Sequence, residues 1–212
     1  MLADMDLSNF LPADILAKYE VHNFKHAAEV LSTSCADEFA EVVNALRAFT
    51  ISTGDIVRGG GNQSEIPKKA TQLLRPLGWH EARISGDLIV KVRTSVSASE
   101  SRLDNYLDGH KIDYVKNRVA FDLEWNSKDQ TFDRDLYALR AFHEAGIISA
   151  GILLTRSEEL NEVFRQLGVM GKYGASTTWM GKLLYRVTAG RSGGCPLLIF
   201  GITKRVIEDW NA

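Results

Sequence analysis

The feature that most constrains the fold of this chain is a run of alternating residues within positions 113–126. From residue 119 onward every second residue is apolar, and the series reads Val119, Phe121, Leu123 and Trp125. A period of two is typical of a β-strand with one buried face. The positions between the last three of these residues are Asp122 and Glu124. This strand is therefore predicted to carry carboxylates on the face opposite its apolar side chains.

The residues before this strand extend it into a predicted β-hairpin. With a two-residue turn at Lys116-Asn117, Asp113 pairs with Ala120 and shares a face with Asp122 and Glu124. Carboxylates so close together repel one another and raise one another's pKa unless a positive group lies among them. Oxygen ligands favour a hard cation. The hairpin therefore predicts a Mg²⁺ site in which Mn²⁺ can substitute.

Composition narrows the class of protein. The chain has 212 residues, of which 45% are hydrophobic and 25% charged, and this balance excludes a mainly disordered chain. The first ten residues carry acids and no apolar core, and no apolar run reaches transmembrane length, so we predict no signal peptide and no membrane partner. The two cysteines, Cys35 and Cys195, favour a reducing cytoplasm over a disulfide framework. The net charge of −2 gives no global sign of nucleic-acid binding, although a local basic patch is compatible with it.

The remaining periodicity predicts an α/β fold, with a mixed central β-sheet flanked by helices, in one domain that spans residues 1–212. A helical part reaches to about residue 78 and packs on the sheet. The continuous apolar run at 147–155 predicts a central strand that is parallel to its neighbour. The expected helices are 11–31, 37–53, 67–75, 132–145, 158–167 and 176–186, and the further strands are 88–92 and 196–202.

Three other features have two readings each. His22 and His26 have the i, i+4 spacing of metal ligands, but Asn23 breaks the zinc pattern HExxH and favours a polar or capping role. The glycine-rich segment 58–64 is either a solvated connector or a loop that becomes ordered on a large ligand. Glu81 is either a surface residue or a fourth acidic candidate for the site, because it lies at the entry to the sheet.

The spacing of Asp113, Asp122 and Glu124, D-x8-D-x-E, is the outline of a PD-(D/E)xK nuclease core. The run Asp113-Tyr-Val-Lys-Asn-Arg-Val-Ala-Phe-Asp-Leu-Glu-Trp closely resembles the corresponding stretch of type II restriction endonucleases of the BglII/BstYI type, which belong to that superfamily. The segments 67–79, 185–187 and 195–202 also resemble parts of this family. The resemblance covers most of the chain and is weakest before residue 60.

The resemblance implies a homodimer that clamps a short palindromic double-stranded DNA site, centred on GATC in members of this type, and hydrolyses one phosphodiester bond per strand with Mg²⁺. It implies that Asp113 and Asp122 ligate the metal together with the backbone carbonyl of Leu123. Glu124 stands where relatives carry Lys or Gln, and it could ligate a second metal or take a proton from the attacking water. The number of metal ions and the general base therefore stay open.

Seven polar or basic residues are candidates for contact with DNA. Asn126 and Ser127 directly follow the catalytic strand, where the family places base-contacting side chains, and Asn offers a paired donor and acceptor to an adenine edge. Their other reading is turn formation. Four more candidates lie in the polar loops, and these are Lys172, Ser176, Thr177 and Arg191. The last candidate, Arg118, lies at the hairpin turn, where it either contacts a phosphate or balances the charge of the acids.

Two alternative functions are compatible with the same residues. A nuclease with this core could act on branched or damaged DNA without sequence preference. A catalytically inactive homodimer could keep the fold and bind DNA without cutting it. The intact set of Asp113, Asp122 and Glu124 argues against the inactive protein.

Overall fold

A six-stranded mixed sheet forms the centre of the computed structural model, which describes residues 6–58 and 64–210. In chain order its strands are β1 Tyr19–Phe24, β2 His80–Arg93, β3 Ala98–Lys116, β4 Val119–Glu124, β5 Ala150–Arg156 and β6 Leu197–Ile202. Their spatial order is β1-β6-β5-β4-β3-β2. The strands β4, β5 and β6 run parallel to one another, and the other neighbours are antiparallel. The predicted α/β class with a mixed central sheet is confirmed.

Helices cover both faces of this sheet, because the central strands alternate buried side chains to either side. Phe121 and Leu123 of β4 belong to the larger apolar cluster, which is built mainly from helices of the N-terminal half. Ala120 belongs to a second cluster with Leu139 and Leu183. The helices are α1 Ala13–Lys18, α2 Ala27–Ser34, α3 Ala36–Ala48, α4 Thr53–Arg58, α5 Glu65–Leu74, α6 Thr131–Glu144, α7 Leu160–Gln166 and α8 Met180–Thr188.

The apolar run that predicted a central strand is β5. Every residue of β5 is buried, and the strand lies between β4 and β6, parallel to both. Burial on both faces favours apolar side chains along most of such a strand, which is why a continuous apolar run identified it, although β5 ends in the buried polar residues Thr155 and Arg156.

The prediction of one helix over residues 11–31 is wrong. Residues 19–24 form β1, which pairs antiparallel with β6 at the edge of the sheet. The hydroxyl group of Tyr19 donates to the carbonyl of Leu46 at 2.7 Å, so the strand is also fixed to α3. Pairing with a neighbouring strand outweighs the helical periodicity of such a short segment. His22 and His26 consequently bond different carboxylates, those of Glu20 and Glu29.

The hairpin that carries the acids forms with a register different from the predicted one. Its turn is Asn117-Arg118, and Tyr114 pairs with Phe121. Asn117 adopts a positive φ of 47°, a conformation that Asn tolerates better than Lys does. Because the pairing moves by two residues, every side chain keeps its predicted face. Ala120 pairs with Val115 instead of Asp113, and Asp113 precedes the last paired residue, Tyr114, close enough to Asp122 to raise its pKa.

The strands β2 and β3 form a long antiparallel arm that extends from the sheet. The segment 95–101 contains a turn stabilised by Thr94 and the beginning of β3. None of the side chains from residue 85 to residue 106 is buried. Of the glycine-rich segment 58–64, residues 59–63 lie outside the described residues.

The exposed arm should contribute little to stability. Replacing residues 89–102 by Asn-Gly, so that Leu88 and Leu103 flank a two-residue turn, removes no buried side chain. The melting temperature, followed by circular dichroism, should change by no more than about 4 °C. As a control, Ile112→Ala at the buried base of the arm should lower the free energy of unfolding by about 2–5 kcal/mol. A larger loss from the deletion than from this control would contradict the prediction.

Candidate active site

The predicted carboxylates meet at the carboxyl end of β4, on the face that α6 covers. Asp122 and Glu124 are only 5% and 7% exposed, whereas Asp113 on the neighbouring strand is exposed. The backbone N–H of Leu123 donates to Asp122 Oδ1 at 3.0 Å. The hydroxyl group of Thr131, the first residue of α6, donates to Glu124 Oε2 at 3.3 Å. The start of α6 thus orients one of the two buried acids.

A cleft of about 490 Å³ opens beside these acids. It lies between the beginning of α5, the end of β4 with its following loop, and the beginning of α6. Its lining residues are Ser64, Pro67, Asp113, Leu123, Glu124, Trp125, Asn126, Ser127, Lys128, Thr131 and Arg134. The cleft therefore joins two predicted catalytic carboxylates to two of the predicted DNA contacts.

Two further charged residues of α6 belong to this site, and the sequence analysis did not find them. Asp135 is 2% exposed, and its Oδ1 accepts hydrogen bonds from Arg134 Nε at 3.1 Å and Nη2 at 3.0 Å. No hydrogen-bond partner of Asp135 Oδ2 exists among the described residues. Together with Thr131 these residues have the i, i+3, i+4 spacing of one helix face. This spacing, in the helix that follows the acidic strand, is the sequence signal that could have identified Arg134 and Asp135 as site residues.

The site concentrates more negative charge than the protein neutralises. Burial raises the pKa of Asp122 well above its usual range, and the negative charges of Asp135, Asp113 and Glu124 raise it further. Burial is also the main reason why the pKa of Asp135 rises to about 8, followed by the charge of Glu124. The hydrogen-bonded Arg134 lowers the pKa of Asp135 but does not outweigh these two effects.

This donor set fits a hard divalent cation. Its donors are oxygen atoms, and a cation would relieve the repulsion among the carboxylates. In residues 6–58 and 64–210, no three side chains of His, Cys, Asp or Glu are grouped closely enough to hold a metal ion. A ligand set of two carboxylates and the Leu123 carbonyl agrees with that finding, because protein-bound Mg²⁺ keeps several waters and often uses only one or two carboxylates plus substrate phosphate.

Three of the predicted site residues lie elsewhere: Glu81, Arg118 and Arg191, of which Arg191 is described below with the loops beside the cleft. Glu81 is on β2, where its exposed carboxylate accepts from Lys111 Nζ at 2.6 Å, and it does not line the cleft. Arg118 precedes the first residue of β4, at the opposite end of the strand from Glu124. Its guanidinium donates to the hydroxyl group of Ser149 at 2.8 Å. The structure therefore does not bring Glu81 or Arg118 to the carboxylate cluster.

Most of the predicted DNA contacts do lie together, in two loops that pair beside the cleft. The side chain of Asn126 donates to the carbonyl of Lys172 at 3.2 Å, and the carbonyl of Ser127 accepts from the backbone N–H of Thr178 at 2.9 Å. The carbonyl of Ser176 accepts from the backbone N–H of Asp129, and Lys128 forms a β-bridge with Thr177. We call these two loops, 126–130 and 172–178, the paired loops.

A buried arginine at the end of β5 anchors the second of the paired loops. Arg156 is 1% exposed and donates from Nε to the carbonyl of Thr178 at 2.7 Å, and from Nη2 to the hydroxyl group of Thr177. Its guanidinium lies over the rings of Phe164 and Tyr173, and burial lowers its pKa to about 10. Arg191, by contrast, is bound to Asp133 outside the paired loops.

A comparison with families of known proteins identifies one family. The model of a family described as Restriction endonuclease BglII/BglIII matches residues 19–202. That range includes β1 to β6, the cleft residues and the paired loops. A search of curated proteins found no significant match.

The buried carboxyl group of Asp135 should make stability depend on pH. Because its pKa is about 8 when folded and near 3.8 when unfolded, its stabilising contribution is complete below about pH 4 and is lost as the pH rises towards 8. Asp135→Asn cannot ionise, so it should weaken the fall in the free energy of unfolding between pH 5 and pH 8. Urea denaturation without divalent metal measures this fall.

The matched control for this prediction is Asp133→Asn, also on α6. Two arginines, Arg191 and Arg186, hold the pKa of Asp133 below its usual value, so this group should titrate below the tested range. Asp133→Asn should therefore leave the change between pH 5 and pH 8 as in the unmodified protein. An Asp135→Asn variant with the unmodified pH dependence would contradict the assigned pKa.

Proposed function

The chain belongs to the BglII/BglIII restriction endonuclease family, and from this premise we propose that it is a type II site-specific deoxyribonuclease. It hydrolyses one phosphodiester bond in each strand of a short palindromic double-stranded DNA site and depends on Mg²⁺. The observation that carries this proposal is the meeting of Asp113, Asp122 and Glu124 beside a cleft of about 490 Å³.

Hydrolysis joins a water oxygen to phosphorus and breaks the bond from phosphorus to a sugar oxygen. Asp113, Asp122 and the carbonyl of Leu123 would hold the divalent cation, which when bound supplies charge neutralisation for the phosphate and activation of water. Glu124 is placed to accept the proton that the attacking water loses, because Thr131 holds one of its oxygens while the carboxylate lines the cleft. Ligation of a second cation is the alternative use of the same carboxylate.

The paired loops supply the surface that reads the DNA sequence. Asn126 and Ser127 line the cleft directly after the catalytic strand. Asn126 Oδ1 has no hydrogen-bond partner among the described residues, but the atom is buried, so a base edge reaches this acceptor only if the side chain turns towards the cleft. Lys172, Ser176 and Thr177 extend the surface beside them. Side chains with paired donors and acceptors can distinguish base edges in the major groove.

A palindromic site implies two copies of the chain, because a symmetric sequence is matched by a protein with two-fold symmetry. We therefore propose a homodimer, in which each copy cuts one strand. The resemblance to enzymes of the BglII/BstYI type favours a site centred on GATC. We also propose a cytoplasmic location, in keeping with the free thiols of Cys35 and Cys195. No helix in the described part of the chain is long and apolar enough to span a membrane.

Digestion of mixed-sequence duplex DNA with Mg²⁺ tests the proposed activity. Discrete fragments are expected, and sequencing of their ends gives both the recognition site and the cut position. Random degradation would instead identify a nuclease without sequence preference. Duplex that is bound but remains intact would identify an inactive DNA-binding protein.

Removal of either metal-holding carboxylate should abolish cleavage without unfolding the chain. Asp113→Ala and Asp122→Asn are each expected to lower the single-turnover rate by about 10⁴-fold. Asp108→Asn, an exposed residue on the β2–β3 arm, is the matched control and should cut at the unmodified rate. Cleavage at that rate by Asp113→Ala or Asp122→Asn would refute the metal assignment. Glu81→Gln, measured beside them, tests the fourth predicted carboxylate separately.

Sedimentation equilibrium tests the homodimer. The expected mass is twice the 23.6 kDa of the chain. Double-strand cutting by a species that remains monomeric on its DNA would contradict the proposed clamp.

A further inference from the structure

We infer that Arg134 donates to the phosphate that is cut, and that Asp135 is the positioning residue that holds its guanidinium at the cleft. The inference rests on the proposed nuclease function. It assigns a role to two residues that the carboxylate motif does not contain.

The guanidinium of Arg134 is fixed at one side and free at the other. Its Nε and Nη2 both donate to Asp135 Oδ1, and Nη2 lies 3.7 Å from Glu124 Oε1. No hydrogen-bond partner of Nη1 exists among the described residues. The side chain as a whole is 67% exposed and lines the cleft together with Asp113 and Glu124. A planar group held in this way offers unused donors to a ligand in the cleft.

The ligand that suits these donors is an anion with several oxygens. A guanidinium matches the geometry of a phosphate, and its hydrogen bonds to charged oxygens are stronger than neutral ones. Two carboxylates, those of Asp113 and Glu124, also line the cleft, and their negative charges repel a phosphodiester. A fixed cation close to Glu124 therefore offsets that repulsion where the phosphate must approach.

The surroundings of Asp135 support its role in holding this arginine. Burial of a carboxylate is costly unless it is hydrogen-bonded. The hydrogen-bond donor that the structure gives Asp135 is the side chain of Arg134. Its position within α6 gives it no capping role, because the helix begins four residues earlier at Thr131. A site function for Arg134 accounts for the burial of this acid beside Asp122 and Glu124.

Other cations nearby are less suited to this contact. Lys111 is bound to Glu81, and Lys182 and Arg186 lie close to Asp129. Lys128 also lines the cleft, but it lies in a loop and has no carboxylate that fixes its side chain among the described residues. Arg134 is in the first turn of α6, so its backbone is fixed by the helix.

The experiment compares Arg134→Met with Arg140→Met, a neutralised arginine farther along the same helix, whose partner is the exposed Glu144. A duplex that carries the mapped site is bound with Ca²⁺ in place of Mg²⁺ at several salt concentrations. Loss of one phosphate contact should reduce the slope of log K against log [salt] by about 0.9 in Arg134→Met. Arg140→Met should keep the unmodified slope.

Single-turnover cleavage with Mg²⁺ supplies the second measurement. Arg134→Met should be slower by about 10²-fold or more, the scale for loss of one donor to a developing charge. Arg134→Lys keeps a positive charge and should recover part of both the rate and the slope. Asp135→Asn should lower the rate less than Arg134→Met does, because the arginine is still present but is held less firmly.

The outcomes distinguish failure of the proposed phosphate contact from failure of the proposed nuclease function. If the unmodified chain cuts and Arg134→Met matches Arg140→Met in slope and rate, the phosphate contact is refuted while the nuclease function stands. A lowered rate with an unchanged slope would also refute the contact and would assign Arg134 to the orientation of Glu124. If the unmodified chain cuts no DNA, the proposed function itself fails, and this inference fails with it.

Discussion

The structure depends on the burial of like charges at the end of one strand. Asp122 and Glu124 alternate with the apolar residues of β4, so the strand cannot bury Phe121 and Leu123 without turning its acids towards α6. Helix α6 contributes the hydroxyl group of Thr131, which bonds Glu124, and the guanidinium of Arg134, which bonds the further acid Asp135 and offsets only part of the repulsion. A folded chain that keeps this repulsion has a standing affinity for positive charge in the cleft. The proposed metal uses that affinity directly, and Asp135 holds in the cleft the guanidinium of Arg134 that is proposed to contact the phosphate.

The sequence predicted the parts of the fold in which local pattern and tertiary environment agree. The alternating run of β4 and the continuous run of β5 each follow directly from how many faces of the strand are buried. It did not predict β1, because residues 19–24 become a strand only through pairing with the distant β6. The sequence contains no local signal for such an edge strand when its apolar spacing also fits a helix.

The candidate site was predictable to a similar extent. Period-two spacing placed Asp113, Asp122 and Glu124 on one face, and that placement holds although the turn was assigned one residue too early. Asp135 could not be found in the same way, because in a helix it reads as one more polar residue on a partly buried face. Only the packing of α6 over β4 shows that its carboxylate lies among the others. The pairing of the loops after β4 and before α8 likewise depends on tertiary contacts, among them the hydrogen bond from the buried Arg156.

The hairpin between β3 and β4 has a consequence for how such chains can vary. A change of two residues in the pairing leaves each side chain on its own face, so the acids still point to the cleft and the aromatic residues to the core. A change of one residue would exchange the two sets, burying carboxylates in the apolar cluster and presenting Phe121 to the substrate. An insertion or deletion of one residue at this turn therefore preserves the site only if the loop or a β-bulge absorbs it and the pairing of the two strands stays unchanged.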